Sequence, residues 1–476
     1  MSSPKPITPK GVLDAVVVLP GSKSMTNRAL ILAALAQGKT TLTGVLASDD
    51  TQVMFEGLAG LGLSLDWNTE QCRIDVCGQG GQFPHRQADI YVGNSGTTAR
   101  FLTAMLAFAE GNYRIHGKPR MHQRPIGDLV EALNALGGQI TYESQEGFPP
   151  LVIQPYNIPP LPAGAFQTQI RGWQGTDESP HPLPEGEGTY TQSVSVSGAV
   201  SSQFLTALLL ASPLATKGSA VKIGVSGELV SKPYIEMTLR MMQSFGVTVE
   251  TDTHFRSFRL GKGTAYQSPE TYRIEPDASA ASYFFAAAAI CGGSVTVLGL
   301  SKNSLQGDVA FVECLQQMNC DVTWDEHSIT VCRPPERPLR GISVDMNSIS
   351  DTAQTLAVAS LFAEGTTEIN NIEHVRFKET DRIGDLATEL RRFGAVVDER
   401  RDGLRITPPE TLLPAMVQTY DDHRMAMSFA VAGLRLPGVV IGDPDCTQKT
   451  FPGFFEILER LNSENEYRER NAKQCL

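Results

Sequence analysis

The sequence predicts an α/β (α+β) protein of two domains, each built from three repeated strand–helix units. The chain has 476 residues, which is too long for one ordinary hydrophobic core and makes two domains the natural expectation. Six segments of the chain share one layout, and self-similarity of this kind is typical of a repeated supersecondary unit. The six segments divide as three plus three around residues 272–282.

Each of the six segments opens with small polar residues, continues as an Ala- and Leu-rich stretch of helical length, and often reaches Gly before a β-branched run. A polar residue at the opening supplies an N-cap, and small side chains allow a helix to be buried on nearly all sides. Gly then ends the helix, and β-branched residues favour a strand. The segments begin at Ser22, Ser95, Ser201, Ser279, Asp351 and Asp422.

Amphipathic segments between these openings predict a second helix in the unit, beginning at Arg124, Lys232, Asp308 and Thr380. Pro125 suits the first turn of such a helix. A Gly or Asn and then a strand follow each segment, so the unit is βαβαββ-like. Residues 160–192 interrupt this rhythm and are rich in Gly, Pro and acidic residues, which predicts an inserted surface loop.

Composition limits the possible functions. The formal net charge is −12, whereas a nucleic-acid binder usually carries an excess of basic residues. A site for an anionic ligand must therefore be a local concentration of cations. The 8 cysteines include no C-x-x-C pair, so neither a zinc site nor a disulfide framework is expected. No apolar run is long enough for a membrane span, and the start MSSPKPITPKG lacks a secretory layout, so we expect a cytoplasmic protein.

Basic or polar side chains recur where the predicted buried helices begin. Lys23, Ser24 and Arg28 lie at the first opening, where free N–H groups and the helix dipole favour a phosphate. A capped helix with surface basic residues explains them equally well. The segment LPGSKS lacks the G-x-x-x-x-G-K-[ST] spacing, which excludes a nucleotide-binding Walker motif.

The other openings carry similar side chains, each with an ordinary alternative. GNSGTTAR (93–100) offers backbone N–H groups to an anion or forms a tight turn, and KPRMHQRPIG (118–127) holds Arg120 and Arg124. RFKETDR (376–382) is typical of a solvated helix face. Asp351 and the pairs Asp49–Asp50 and Asp421–Asp422 fit capping better than metal binding. If the openings converge, they form a pocket of positive potential.

The ordered motifs resemble those of the 5-enolpyruvylshikimate-3-phosphate synthases, over about residues 7–462. The matching motifs are LPGSKSMTNRALILAALA, GNSGTTAR, PRMHQRPIG, VSSQFLTALL, LVSKPY, DASAASY, SLQGD, KETDR, DDHRMAM and CTQKTFPG. The resemblance implies a two-domain enolpyruvyl-transferase fold, in which three units per domain surround inward-pointing buried helices. It also implies that the N-terminal strand crosses back, giving one domain of residues 1–22 plus 275–476 and another of residues 23–274.

The resemblance further implies an activity and its residues. The reaction moves the enolpyruvyl group of phosphoenolpyruvate onto the 5-hydroxyl of shikimate 3-phosphate and releases phosphate, on the route to chorismate and the aromatic amino acids. The implied ligands of shikimate 3-phosphate are Lys23, Ser24, Arg28, Ser201, Ser202, Gln203, Ser231, Asp351 and Lys378. Those of phosphoenolpyruvate are Lys23, Gly96, Arg124, Gln203, Arg382, Arg424 and Lys449. Asp351 is the implied proton acceptor and Glu379 the implied donor. Because cationic neighbours should favour the carboxylate form of Glu379, we expect Lys23 to share proton delivery.

One departure from the family pattern bears on these expectations: His374 stands where members often carry Asn, four residues before Lys378. No metal or cofactor is expected, because no P–O bond breaks. The expected partners are the two small-molecule substrates, without nucleic acid or membrane, and the expected state is a monomer. Gly96 and Thr97 favour sensitivity to glyphosate, the family's inhibitor.

Two alternatives stay open at this stage. One is the related enolpyruvyl transferase that acts on UDP-N-acetylglucosamine. The other is a non-catalytic protein that binds phosphometabolites on the same scaffold. KETDR, DDHRM and SSQ favour the shikimate enzyme over the first, and the presence of Asp351, Glu379 and Lys23 disfavours the second.

Overall fold

The structure is a computed structural model that describes residues 3–156, 191–198 and 201–462. In these ranges the α-helices alternate between buried and half-exposed. The odd-numbered ones are the Ala- and Leu-rich helices, which are buried on nearly all sides, as their small side chains predict. The helices are α1 (Lys23–Leu35), α2 (Asp49–Gly60), α3 (Gly96–Leu106), α4 (Gly127–Ala135), α5 (Ser202–Ala215), α6 (Lys232–Ser244), α7 (Ala278–Cys291), α8 (Phe311–Gln317), α9 (Ala353–Ser360), α10 (Arg382–Arg392), α11 (His423–Gly433) and α12 (Phe454–Arg460).

Short 3₁₀ helices lie before several of these helices and shape the turns that lead into them. They are Met121–Gln123, Gly307–Ala310, Asn347–Thr352, Glu373–Phe377 and Pro444–Lys449.

Five four-stranded sheets share one topology: the first two strands are parallel, and the remaining pairs are antiparallel. Three of them accompany α1 to α6. In spatial order their strands are Thr271–Arg273, Gln37–Thr43, Arg73–Gln79 and Ser64–Asn68; Gln87–Tyr91, Asn112–His116, Leu151–Gln154 and Gln139–Tyr142; and Thr191–Ser197, Ala220–Ser226, Ser257–Leu260 and Glu250–Thr251.

The other two four-stranded sheets accompany α7 to α10, and a three-stranded sheet accompanies α11. In spatial order their strands are Leu13–Val17, Gly293–Leu298, Ser328–Arg333 and Asp321–Trp324; Ser343–Asp345, Thr367–Asn370, Gly403–Thr407 and Val396–Arg400; and Lys5–Pro6, Val440–Ile441 and Met416–Val417. A two-stranded sheet pairs Leu339–Arg340 with Ala363–Glu364.

The chain crosses twice between two hydrophobic clusters. Leu13–Val17 pairs in parallel with Gly293–Leu298, and Thr271–Arg273 pairs in parallel with Gln37–Thr43. One cluster therefore combines Ile7, Leu13, Val17 and Leu19 with residues 278–461, while the other runs from Met25 to Ile274. The domains 1–22 plus 275–476 and 23–274 stay a prediction, which these clusters support.

Within each cluster the buried helices pack on one another. Helix α3 lies against both α1 and α5, and α7, α9 and α11 contact one another pairwise. Three helices thus share each core, with the sheets around them. The predicted fold class, with three similar units in each half, is confirmed by this arrangement.

Several predicted helix starts were wrong by a few residues. Asp277, rather than Ser279, caps α7, and Asp351 lies in a 3₁₀ helix before α9. Helix α4 begins at Gly127, so Pro125 precedes it. Asp381 caps α10 by accepting hydrogen bonds from the N–H groups of Ile383 and Gly384, so the helix starts after Thr380. For α7 and α10, hydrogen-bond geometry decided which polar residue acts as the cap, and spacing alone does not report it.

Two further predictions concern ranges that the structure covers in part. Residues 160–190 of the predicted insertion lie outside the described residues, while its last two residues, Thr191 and Gln192, begin the strand Thr191–Ser197. Among the described residues, no helix combines the length and the apolar character that crossing a bilayer requires.

Candidate active site

The first turn of α1 places Lys23 at the edge of a cavity between the two clusters. Ser22 caps the helix, since its hydroxyl accepts a hydrogen bond from the Met25 N–H. Lys23 Nζ lies 3.3 Å from the carboxylate of Asp50. Ser48 is the N-cap of α2, so the interpretation of Asp50 as a capping residue was wrong: Asp50 pairs with Lys23 in the cavity.

Arg28 lies one turn deeper on α1 and is 2% exposed. Its Nε donates to Thr238 Oγ1 at 2.9 Å, and its guanidinium carbon lies 5.5 Å from the centre of the Phe101 ring and 5.8 Å from that of Tyr234. Burial lowers the pKa of Arg28 to about 10, so the group is still a cation at neutral pH. The two rings and the hydrogen bond fix a positive charge in the cavity wall.

The first turn of α3 supports Arg124. Gly96 leaves the necessary space, because a Cβ atom built on it would lie 2.5 Å from Arg124 Nη2. Arg124 Nη1 donates to the Asn94 carbonyl at 2.9 Å. On the neighbouring α5, Gln203 accepts a hydrogen bond from Arg100 at 3.0 Å and donates to Thr97 at 3.3 Å, which orients its amide at the cavity.

A row of hydroxyl groups lies beside this cavity, in a pocket that adjoins it. Ser201, the N-cap of α5, lines the pocket with Ser202, Ser231, His374 and Lys378. Nε2 of His374 lies 2.9 Å from the Ser350 hydroxyl and 3.4 Å from the Ser231 hydroxyl. Burial, followed by the charge of Lys378, lowers the pKa of His374 to about 4, so its imidazole is neutral at pH 7.

Asp351 lies among cations that come from three separate segments. Its Oδ2 is 2.9 Å from Arg424 Nη2, and its Oδ1 is 3.1 Å from Arg382 Nη1 and 3.7 Å from Lys378 Nζ. Burial by itself raises the pKa of Asp351, but Arg424, Lys378, Arg382 and Lys23 together hold it well below its usual range. The group is therefore a carboxylate that could accept a proton once a substrate draws these cations away.

Glu379 has a comparable environment on the opposite side of Arg382. Its Oε2 lies 2.8 Å from Arg382 Nη2, and its Oε1 lies 2.9 Å from Lys449 Nζ. Burial acts to raise the pKa of Glu379, yet Lys449, Arg382 and Arg124 hold it well below its usual range. The solvated-face explanation of the KETDR segment was wrong for Lys378, Glu379 and Arg382, because all three line the cavity.

The structure brings together all the residues that the sequence singled out for the site. Ser201 lies in the adjoining pocket, and Lys449 contacts Glu379. The others line the cavity itself: Lys23, Ser24, Arg28, Gly96, Arg124, Ser202, Gln203, Ser231, Asp351, Lys378, Glu379, Arg382 and Arg424. Six of these are cations against three lining carboxylates, which gives local positive charge in an acidic protein.

Sequence reasoning did not assign four residues of the cavity wall to the site: Asp50, Thr97, Phe101 and Tyr234. Thr97 and Phe101 belong to the helix that begins in GNSGTTAR, and Tyr234 belongs to the LVSKPY motif. Of the three, the sequence singled out only Thr97, and only for glyphosate sensitivity. A helical count from Thr97 finds Phe101, since residues three or four apart share a face of a helix.

The chain matches known proteins over nearly its full length. The model of the family "EPSP synthase (3-phosphoshikimate 1-carboxyvinyltransferase)" matches residues 7–172 and 174–458. A 3-phosphoshikimate 1-carboxyvinyltransferase of Laribacter hongkongensis is 46% identical over 458 residues, which cover 96% of this chain and 99% of that protein. One of Escherichia coli is 45% identical, and the match covers 96% of this chain and 98% of that protein.

Solved structures show the same fold at lower identity. An EPSP synthase from Acinetobacter baumannii has a TM-score of 0.74 and 24% identity, covering 97% of this chain and 98% of that one. The enolpyruvyl transferase NikO from Streptomyces tendae has a TM-score of 0.72 and 16% identity, covering 98% of both chains. On the family model and the relatives above 40% identity, this chain belongs to the EPSP synthase (3-phosphoshikimate 1-carboxyvinyltransferase) family.

Proposed function

We propose that the cavity holds shikimate 3-phosphate and phosphoenolpyruvate side by side and transfers the enolpyruvyl group between them, releasing phosphate. The observation that carries this proposal is the convergence of six cations from distant segments on one cavity, with two buried carboxylates among them. Both substrates are polyanions, so bringing them together requires positive charge that water does not screen. A transferase of this family needs such a cavity for its chemistry.

We assign the shikimate 3-phosphate side to the pocket with the hydroxyl row. Ser201, Ser202 and Ser231 offer hydroxyl donors, and Lys378 offers a charge to the phosphate. To the same substrate we assign Ser24, Arg28, Gln203, Lys23 and Asp351, all of which line the cavity. His374 is neutral here and offers the phosphate one ring N–H. That contact would replace the amide of the Asn found in many family members.

We assign the phosphoenolpyruvate side to the first turn of α3 and the cations across from it. Arg124 lies over Gly96, and Lys449 reaches the same region, since its Nζ donates to the Asn94 carbonyl at 3.2 Å. Arg382 and Arg424 approach from the other cluster. Guanidinium groups bind carboxylates and phosphates in two-point contacts, which suits a small molecule that carries both. Lys23 and Gln203, which also line the cavity, are assigned to both substrates.

The proposed reaction is an addition followed by an elimination. In the addition, the methylene carbon of phosphoenolpyruvate gains a proton, the 5-hydroxyl oxygen bonds to the adjacent carbon, and Asp351 takes the hydroxyl proton. In the elimination, the methyl carbon gives a proton back to the Glu379 carboxylate, the C–O bond to phosphate breaks, and the leaving phosphate takes up the proton from Asp351. Each positioned acid or base is worth about 10²–10⁴-fold in rate.

We assign Glu379 as the acid that protonates the methylene carbon. To act as an acid, its carboxylate must first gain a proton. In the free cavity Lys449, Arg382 and Arg124 favour the carboxylate. When phosphoenolpyruvate binds to these cations, its own charge offsets theirs, and the pKa of Glu379 rises. Lys23 lies at the same cavity and shares proton delivery in this scheme.

A phosphate-release assay with two acceptors tests the function. The purified chain and phosphoenolpyruvate are mixed with shikimate 3-phosphate in one arm and with UDP-N-acetylglucosamine in the other. We expect phosphate release in the first arm and none in the second. Release only with the nucleotide sugar would identify the related transferase, and release in neither arm would favour a binding protein.

Two finer features stay predictions, namely the monomeric state and the cytoplasmic location. Size-exclusion chromatography with light scattering tests the first, with a mass near 51.5 kDa expected. Fractionation of the source cells tests the second.

A further inference from the structure

A buried carboxylate lies behind the cavity, one side chain away from Asp351. Asp308 belongs to the 3₁₀ helix Gly307–Ala310 and is 3% exposed. It lines a small separate pocket with Ser24, Tyr234 and Ser279, and it is absent from the wall of the main cavity. The mechanism above gives it no role.

A single phenol joins the two carboxylates. The Tyr234 hydroxyl oxygen lies 3.2 Å from Asp308 Oδ2 and 3.2 Å from Asp351 Oδ2. Burial, followed by the charges of Asp308 and Asp351, raises the pKa of Tyr234 well above its usual value, so the phenol keeps its proton. A phenol donates only one hydrogen bond, so it cannot serve two ionised carboxylates at once.

The surroundings of Asp308 favour its neutral form. Its Oδ2 accepts a hydrogen bond from the Ser279 hydroxyl, but its buried Oδ1 has no hydrogen-bond partner among the described residues. A buried carboxylate oxygen without a donor destabilises the ionised form. The charge of Asp351 acts in the same direction.

The groups that act on Asp308 come from four elements packed around it. They are Asp277 and Ser279 of the α7 turn, Tyr234 of α6, Asp351 before α9, and Arg424 of α11. Burial is the largest effect, and together with Asp351 and Asp277 it raises the pKa of Asp308 to about 6, while Ser279 and Arg424 act to lower it. Asp308 therefore titrates near neutral pH, unlike Asp351.

We propose that Asp308 is a positioning residue that sets, through the one proton of the Tyr234 phenol, how strongly Asp351 holds a proton. This inference rests on the proposed role of Asp351 as the base. When Asp308 is neutral, its own proton bonds to the phenol oxygen, and the phenol donates to Asp351 Oδ2. When Asp308 is ionised, it takes the phenol's hydrogen bond, and Asp351 loses a donor and gains a nearby negative charge.

The direction of the effect follows from this exchange. Both changes favour the protonated form of Asp351, so ionisation of Asp308 makes Asp351 a stronger base. A stronger base removes the hydroxyl proton more readily. The rate therefore rises as pH increases through the titration of Asp308.

The variant Asp308→Asn isolates this effect, because its amide donates to the phenol at every pH and so imitates the neutral acid. We measure kcat for phosphate release at saturating substrates from pH 5 to 8.5, for the wild-type chain and the variant. Substrate phosphates titrate near pH 6 in both measurements, so the informative quantity is the kcat of the wild-type chain divided by that of the variant. The ratio is expected to rise from near one at pH 5 to roughly 3–10 above pH 7.5, since base strength changes with one hydrogen bond and one neighbouring charge.

Two further variants make the test specific. Ser279→Ala removes the donor to Asp308, so the rise in its kcat is expected to move to higher pH by roughly half to one unit. In a Tyr234→Phe background the hydrogen-bonded link is broken, so the pH-dependent effect of Asp308→Asn is expected to shrink to the part that the nearby charge alone exerts. If the two substitutions instead act independently, Asp308 does not work through the phenol and the proposal is overturned.

The outcomes also separate this inference from the proposed function. If the wild-type chain is active but the ratio of its kcat to that of Asp308→Asn does not change with pH, the inference alone is overturned. A wild-type chain that releases no phosphate from the two substrates overturns the proposed function, and the inference with it. If Asp308→Asn does not fold, the pH shift of Ser279→Ala decides: a shift supports the inference, and an unchanged profile overturns it.

Discussion

Arg382 Nη1 lies 3.1 Å from Asp351 Oδ1. The same guanidinium reaches Glu379 at 2.8 Å, so one cation touches both carboxylates that the proposed mechanism uses. Arg382 is 3% exposed, and its charge is therefore poorly screened by solvent and salt. Substitution of either carboxylate leaves this buried cation with fewer partners, and the effects on binding and on turnover should differ.

For Asp351→Ala we expect kcat to fall by about 10²–10⁴-fold, because the base is lost. Phosphoenolpyruvate binding should be partly preserved, since Arg124 and Lys449 are unchanged. Phosphate release measures the first effect and calorimetry the second. Asp66→Ala, at an exposed strand position, is the matched control. Full activity of Asp351→Ala would remove Asp351 from the mechanism.

For Glu379→Gln we expect kcat to fall by about 10²–10³-fold, with a Kd for phosphoenolpyruvate no higher than that of the wild-type chain. Lys449 and Arg382 hold the pKa of Glu379 well below its usual range, so the wild-type carboxylate competes with the substrate for them. Glu110→Gln, at an exposed residue, is the control. A clear loss of phosphoenolpyruvate affinity in Glu379→Gln would contradict this assignment.

For Gly96→Ala we expect the KM for phosphoenolpyruvate to rise by about tenfold or more, equivalent to about 1.4 kcal/mol. The added Cβ would lie 2.3 Å from Arg100 Nη1 and 2.5 Å from Arg124 Nη2, so both guanidinium groups must move. Gly60→Ala at the end of α2 is the control, since nothing lies within 4 Å of its Cβ. Steady-state kinetics with each substrate varied in turn measures this KM. An unchanged KM for phosphoenolpyruvate would argue against this position for Arg124.

His374 should make the folded state less stable at acidic pH. Its pKa is lowered by burial to about 4, whereas an unfolded histidine titrates near 6.5, so only the unfolded chain takes up a proton between these values. The stability it contributes is fully present above about pH 6.5 and is lost as pH falls toward 4.

When the pH is lowered from 7.5 to 5, we therefore expect the free energy of unfolding of the wild-type chain to fall by about 2 kcal/mol more than that of His374→Asn. Urea unfolding at the two pH values measures this difference. His327→Asn, with a side chain 78% exposed, serves as the control. Equal pH dependence in His374→Asn and the wild-type chain would show that His374 protonates freely in the folded state.

Substrate binding should draw the two halves together. Neither cluster alone supplies all the cations, and Arg120 Nε already donates across to the Glu379 carbonyl at 3.2 Å. In X-ray scattering, saturating shikimate 3-phosphate is expected to lower the radius of gyration, and Arg120→Ala to require more ligand for the same change. Arg86→Ala, an exposed residue of the same half, is the control. No compaction at saturation would contradict closure.

Much of the fold, and most residues of the site, could be predicted from the sequence. Ser22, Ser95 and Ser201 cap their helices as predicted, because capping is a local interaction between residues two or three apart. Small side chains similarly predicted which helices are buried. The ordered motifs also pointed to a family, since together they are far more specific than any one of them.

Which groups share a charge or a proton could not be predicted from the sequence, because long-range packing brings them together. Asp50 appeared to be a cap and instead pairs with Lys23, and Asp308 began an ordinary amphipathic segment yet shares a phenol with Asp351. Sequence spacing does not report such contacts, because the distance between side chains far apart in the chain is set by the packing of whole helices. The strength of each charge then depends on burial and on neighbours, which exist only in the folded molecule.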